Sequence, residues 1–405
     1  MISVKERIVT NKIEKKLYKS FFNNLFSDSC SVKLWDGEEI TYGTGDINFR
    51  IVLNEPISIS DVLADPSVTF GEAYMQKKLD IEGNIQKVIE SLYRNSKSFL
   101  RDKEKYGKLM NPIKNTLRKS KENISSHYDI GNDFYQLWLD KSMTYSCGYF
   151  TSDNDTLEQA QVNKVDYILK KLNLKAGNTL LDIGCGWGEL IITAAKKYNI
   201  KALGVTLSQE QMEKTSRRIK EDGLEDLVEV QLIDYRHIKN RSFDRIVSVG
   251  MIEHVGKEYL AEYFNVVNSL LNEGGISLLH SITSLHGGNN SWINKYIFPG
   301  GYVPSVSELV SNITSESFYL LDAESLRRHY ARTLECWANN YEAALPEIRR
   351  LKDESFIRMW RLYLNSCAAS FNVGNIDIHQ FLFSKGVADE IPMTRNYLYP
   401  NTLRL

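Results

Sequence analysis

"LLDIGCGWGEL", residues 180–190, decides the fold. An apolar run ends in Asp182 and Ile183, glycines follow at 184, 186 and 188, and a helical pattern then resumes. Glycines let a backbone turn sharply and approach a ligand, and the free N–H groups at a helix start favour an anionic group. Such a strand, glycine turn and helix cradle a nucleotide-like cofactor. Dinucleotide enzymes use the same device, so the turn alone does not name the ligand. Two details favour S-adenosylmethionine over NAD. The spacing is G-x-G-x-G with Asp182 two residues ahead, and the next strand, "KALGVTLS" (201–208), lacks the terminal acid that would hold a ribose. Asp234, in "LIDY" after the third strand, puts an acid where an adenine amine could sit.

Outward from this turn, apolar runs at 179–183, 201–205, 228–232, 243–249 and 275–281 alternate with helical patterns near 187–198, 208–221 and 257–271. That alternation predicts an α/β, Rossmann-like domain with a parallel sheet and crossover helices. Helices are expected around 324–372, and "IDIHQFLFSKG" (376–386) reads as an edge strand. Upstream, apolar positions from Val4 to Leu25 predict an amphipathic helix over 4–26, and residues 32–65 read as several short strands. "SVTFGEAYMQKKLDIEG" (67–83) then suggests a helix and a strand. The lysine-rich stretch near 101–121 is the natural boundary. The expected division is a small α+β N-terminal domain over 1–110 and a catalytic domain over 111–405.

No apolar run approaches the ~18–20 residues that span a bilayer, and the first residues lack the apolar core of a signal peptide. Five cysteines, widely spaced and without a CxxC pair, argue against a disulfide framework or a metal site and for a reducing cytoplasm. A net charge of −1 gives no case for nucleic-acid binding. The charge is uneven, however. Residues 1–20 carry six Lys/Arg against two acids, and residues 101–121 carry eight against two. Two basic segments on a near-neutral chain suit a surface that docks reversibly on anionic lipid; the plain alternative is a solvated helix face and a charged linker.

"HYDIGNDFYQLWLDKSMTYSCGYF" (127–150), "LDIGCGWGEL", "GVTLSQEQ", "SVGMIEHVG", "LLHSIT", "WINKYIFPGGYVPS" and "YLNSCAASF" together resemble the cyclopropane-fatty-acyl-phospholipid synthases over roughly 120–390. The resemblance implies a class I S-adenosylmethionine methyltransferase fold. It also implies addition of a methylene across a cis double bond of a phospholipid acyl chain, at the inner face of the membrane. The implied cofactor residues are Tyr145, Ser146, Asp182, Gly184, Gly186, Gly188, Thr206, Leu207, Gln211, Asp234 and Tyr235. Cys147, Glu253, His280, the backbone of Ile282 and Tyr330 are the implied holders of a bicarbonate ion that serves as the base. Cys367 matches a further family cysteine, read here as packing with a weaker case for catalysis. A homodimer is the expected assembly.

That reaction makes three physical demands. A passing carbocation must be kept from water, aromatic faces can stabilise it without reacting, and a base must take a proton so that the ring closes. Tyr128, Phe134, Tyr145, Tyr302 and Tyr330 are the aromatic residues in motif positions. The rival readings are a relative that methylates without closing a ring, a small-amine methyltransferase, and a lipid-binding sensor that retains the cofactor.

Overall fold

Four short strands, β1 (Cys30–Lys33), β2 (Glu39–Tyr42), β3 (Phe49–Leu53) and β4 (Leu79–Glu82), pair in the order β2-β1-β3-β4. β1 and β3 run parallel, and the other two pairings are antiparallel. Along β3, Phe49, Ile51 and Leu53 are buried while Arg50 and Val52 are partly exposed, the two-residue period of a half-buried strand. Between β3 and β4 the chain forms helices Ile59–Ala64 and Pro66–Met75, where the sequence suggested strand up to residue 65. The local chemistry explains the difference. Ser58 caps the first helix, and Asp65 caps the second by accepting from Val68 N at 3.0 Å, with Pro66 in its first turn.

The computed structural model describes residues 14–23, 25–101 and 130–399, in two units. Residues 14–22 are helical, so the expected helix over 4–26 is described from residue 14; residues 1–13 and the lysines of 102–121 lie outside the described residues. The first unit combines the described residues up to 101 with 290–297 and 341–375. The expected single division at 110/111 is therefore replaced by a chain that returns twice to its first unit.

Packing explains the return. Helix Glu354–Asn372 buries Ile357, Trp360, Leu364, Ala368 and Phe371 along one stripe. Its end is tied by Asn372, which donates to Glu90 at 2.7 Å. Arg358 donates to the backbone carbonyls of Tyr74 and Leu79, reaches Asp80 at 2.6 Å, and lies 3.9 Å from the centre of the Tyr74 ring. Arg358→Met should lower the stability of this unit by about 2–3 kcal/mol, because buried carbonyls lose a charged donor. Urea unfolding followed by tryptophan fluorescence would check this.

The second unit carries a seven-stranded sheet: β5 (Thr179–Ile183), β6 (Lys201–Thr206), β7 (Val228–Leu232), β8 (Phe243–Val249), β9 (Leu271–Ser284), β10 (Phe318–Ser325) and β11 (Ile376–Lys385). The order is β10-β11-β9-β8-β5-β6-β7. β5 to β9 run parallel, and β11 is antiparallel to both its neighbours. Neighbouring residues on each strand serve opposite cores. Leu180, Ala202, Val247 and Leu278 pack with helices Leu157–Lys171 and Glu189–Tyr198. Leu181, Leu203, Ile246 and Leu279 pack with helix Leu260–Leu270 on the other face. Burial on both faces is why these strands read as continuous apolar runs. β11 is not the edge expected of it. β10 pairs along its outer side, so Phe381, Leu382 and Phe383 are buried.

The chain steps from β5 to β6 to β7 in one direction and then crosses to β8 on the other side of β5. The strand order therefore reverses beside β5. In open α/β sheets, that switch point at the strands' carboxyl ends is where ligands bind.

Candidate active site

A cavity opens at this switch point, and ten of the eleven expected cofactor residues line it: Tyr145, Ser146, Asp182, Gly184, Gly186, Thr206, Leu207, Gln211, Asp234 and Tyr235. The eleventh, Gly188, instead sits at the start of helix Glu189–Tyr198 in a left-handed conformation. A Cβ there would fall 2.4 Å from Thr215 Cγ2, so this glycine serves close packing between helices. The turn itself is pinned to the next strand, since Gly184 N and Cys185 N both donate to Val205 O, at 2.9 and 3.1 Å. Beyond β6, Thr206 donates to Gln211 Oε1 at 2.7 Å, and Ser208 caps the helix Gln209–Glu221.

The charges in the cavity are unevenly satisfied. Asp234 accepts from Arg236 at both carboxylate oxygens, at 2.9 and 2.7 Å, so this acid already holds a cation. Asp182 is buried, its Oδ1 has no partner among the described residues, and burial pushes its carboxyl up to about 7. His254, also on the wall, is held down to about 4 by burial and is neutral. Asn132 links the preceding segment to the site, accepting from Trp187 Nε1 at 2.7 Å and donating to Glu210 at 2.6 Å.

A second group of side chains lies just past the end of β8 and on the neighbouring β9. Gly250 N donates to His280 O at 2.8 Å, the last rung between these strands. β8 ends there, and Glu253 takes the next place, accepting from Ile282 N at 2.6 Å. The Ile282 amide is thus spent on Glu253, whereas the resemblance implied that it would meet an anion. Glu253 Oε2 and His280 Nε2 are both buried and without partners among the described residues. Burial pushes Glu253 up to about 7 and holds His280 well below its ordinary range, so the imidazole is neutral. Its Nδ1 faces the Gln380 amide at 3.1 Å. Neutral His280 Nε2 can donate and an ionised Glu253 Oε2 can accept, the two roles that the expected bicarbonate could meet.

The remaining expected residues are more dispersed. Cys147 is buried, its thiol 3.2 Å from Gly148 O and 4.0 Å from Leu326 O, and burial pushes it well up. Tyr330 N donates to the same Leu326 carbonyl, so the two are neighbours. Tyr330 meets Trp337 edge-on at 6.0 Å, and Trp337 lies 5.2 Å from Tyr145, which also packs on Tyr135 and Trp138. Tyr302 spends its hydroxyl on Glu308, at 2.8 Å, while its N–H donates to Glu253 O. Phe134 is buried, and Tyr128 lies outside the described residues. Cys367 belongs to the first unit, where burial pushes its thiol up to about 12, so it keeps its proton at neutral pH.

Sequence reading missed Lys164, Trp187, Arg236, Met251 and His254 on the cavity wall. Lys164 carried a usable signal, because it sits where the apolar stripe of its helix calls for a hydrophobic residue. The other four lie within or beside motifs already singled out, yet nothing in their spacing marks them.

Comparison with known proteins agrees with this geometry. The mycolic acid cyclopropane synthetase family model matches residues 115–381, and a domain of unknown function matches residues 17–104. A probable fatty acid methyltransferase of Pseudomonas putida is 39% identical over 91% of this chain and 95% of its own. The cyclopropane-fatty-acyl-phospholipid synthase of Escherichia coli K12 is 44% identical over 66% of this chain and 69% of its own. The crystal structure of mycolic acid cyclopropane synthase CmaA1, complexed with SAH and CTAB, is 35% identical. It covers 65% of this chain and 98% of its own, with a TM-score of 0.63.

Proposed function

This chain belongs to the mycolic acid cyclopropane synthetase family of S-adenosylmethionine-dependent methyltransferases, and from that premise we propose that it adds a methylene across the cis double bond of an unsaturated phospholipid acyl chain. The observation that carries the reading is that Glu253 Oε2 and His280 Nε2 are each buried without a partner among the described residues, Glu253 standing in sequence between the cavity-lining Met251 and His254. A base there can take the proton that ring closure must lose.

Bound S-adenosylmethionine supplies an electrophilic methyl group on a sulfonium. The methyl would pass to the alkene as its bond to sulfur breaks and S-adenosylhomocysteine leaves, and the cation left on the acyl chain would close to the ring once a base takes a proton from the new methyl group. Bicarbonate, held by Glu253 and His280, would supply the base for that proton. Neutral His280 can donate from Nε2 when Nδ1 accepts from Gln380. Glu253 in its ionised form can accept at Oε2 while Oε1 stays bound to Ile282 N. Around the cation, Tyr145, Trp337 and Tyr330 offer aromatic faces that attract positive charge without trapping it.

A second reading has its own support, because the relative matched over nearly the whole chain is named a probable fatty acid methyltransferase. A methylene ring and a methylene branch add the same mass, so mass alone does not separate the readings. Incubation with S-adenosylmethionine and unsaturated phospholipid vesicles, followed by proton NMR of the lipid, does. Strongly shielded ring protons support ring closure, and vinylic protons beside a new carbon branch support the alternative. Release of S-adenosylhomocysteine with neither product would point to a different substrate.

The substrate also demands access to a bilayer, and no helix among the described residues is long and apolar enough to cross one. The basic stretches of 1–20 and 101–121 are part of the reading, as a reversible docking face on anionic lipid. Each Lys or Arg near such a surface contributes on the order of 1 kcal/mol, and salt screens it. Replacing Lys114, Arg118, Lys119 and Lys121 by Gln should weaken sedimentation with anionic vesicles and lower activity on them. Activity on detergent-dispersed lipid should change little. Unchanged vesicle binding at low salt would leave these lysines a solvated linker.

A further inference from the structure

Lys164 interrupts the apolar stripe of helix Leu157–Lys171, between Ala160 and Ile168, and is 2% exposed. Among the described residues its ammonium makes one hydrogen bond, to Ser146 Oγ at 2.9 Å. An ammonium carries three N–H donors, so two are unspent in a buried position on the wall of the cofactor cavity. A buried cation without partners is costly, and such groups are normally paired.

The acids within electrostatic reach do not meet that need. Asp140 accepts from Ser142 N and Thr144 N at 2.9 and 3.0 Å. Glu189 pairs with Arg218. Asp182 is itself buried, and it makes no ion pair with Lys164 within 4.0 Å among the described residues. The other cation on the cavity wall, Arg236, is committed to both oxygens of Asp234. Lys164 is therefore the cavity cation with donors to give. S-adenosylmethionine brings one full negative charge, the carboxylate of its methionine part. Its α-ammonium calls for acceptors, which Asp182 and the carbonyls of the glycine turn provide.

We propose that the Lys164 ammonium, together with the Ser146 hydroxyl, binds the α-carboxylate of S-adenosylmethionine and so sets how deeply the sulfonium sits in the cavity. This rests on the assignment of that cavity to the cofactor. The depressed proton affinity of Lys164, held down to about 8 by burial, accords with a cation awaiting its counter-ion. A carboxylate-class anion has a second source here, because Lys164 is also within electrostatic range of His280 and Cys147, the residues associated with bicarbonate.

The test titrates S-adenosylmethionine, S-adenosylhomocysteine and decarboxylated S-adenosylmethionine into the wild-type enzyme and into Lys164→Met. The wild type should prefer the two carboxylate-bearing ligands. In the variant, those two should weaken by about 10–100-fold, as expected for a charge-assisted hydrogen bond. The decarboxylated analogue should bind as before, and Ser146→Ala should show a smaller loss of the same selectivity. Equal loss for all three ligands would mean that Lys164 only shapes the cavity, and would overturn the proposal. So would unchanged affinities with a raised bicarbonate requirement for turnover, which would assign the ammonium to that anion. Should Lys164→Met fail to fold, the wild type still decides, because equal affinity for the carboxylate and decarboxylated ligands overturns the proposal by itself. Binding of none of the three by the wild type would instead refute the cavity's assignment.

Discussion

Glu253→Gln is expected to cut turnover by about 10²–10⁴-fold, the usual cost of losing general-base catalysis, because Glu253 would hold the bicarbonate that takes the proton, while S-adenosylhomocysteine binds as before. Met251, His254 and Val255 line the cofactor cavity, but Glu253 between them does not. Its side chain turns to Ile282 N, which a glutamine oxygen can still satisfy. What glutamine cannot do is take up a proton, or offer an acceptor at the position of Oε2. Near-normal activity in this variant would remove Glu253 from the chemistry.

The same substitution has a stability signature of opposite sign. An unfolded glutamate titrates near about 4.3, and burial in the folded protein pushes Glu253 up to about 7. Between these values the native state binds the extra proton. The stability contributed by the protonated form is therefore complete below the unfolded value and is lost as pH rises through about 7. Glutamine has no such loss. The melting temperatures of wild type and variant should converge near pH 5 and separate by pH 8, with the variant higher, although it is the inactive one. Wild-type turnover, which needs the ionised carboxylate, should rise over that same interval.

How far such a site was legible in the sequence depends on what each residue had to satisfy. β5, β6, β8 and β9 could be read because strands buried on both faces leave continuous apolar runs, and β7 by its place in the alternation of strands and helices. β10 could not, since Tyr319, Leu320 and Leu321 face solvent at an edge and carry no alternation. Missing β10 in turn made β11 look like the edge. The helix Glu354–Asn372 announced a buried face, but periodicity does not say which partner buries it, so its return to the first unit was invisible. The glycine turn and the strand-end residues were legible because their positions follow from chain order alone. The Glu253–Ile282 hydrogen bond was not, for it exists only because β8 ends at Val249, opposite His280, while β9 runs on to Ser284.

Gly186→Val is expected to weaken S-adenosylmethionine and S-adenosylhomocysteine binding by at least about 100-fold, or about 2.7 kcal/mol. Among the three glycines of the turn it gives the cleanest test. A Cβ on Gly184 would sit 3.0 Å from Met251, and one on Gly188 would strike Thr215, so either substitution would disturb protein packing. A Cβ on Gly186 meets no protein atom within 4 Å, and this residue lines the cavity. On the proposed reading, that space is the ligand's. Gly186 also has φ of +55°, a conformation that costs a residue with a Cβ about 1–2 kcal/mol. Alanine carries most of that backbone cost with far less bulk. Gly186→Ala should therefore lose a comparable amount of thermal stability but much less affinity than valine does. Calorimetric titration of both variants separates the two terms, since a purely conformational role would weaken binding equally in each. Full affinity in the valine variant would place the cofactor elsewhere.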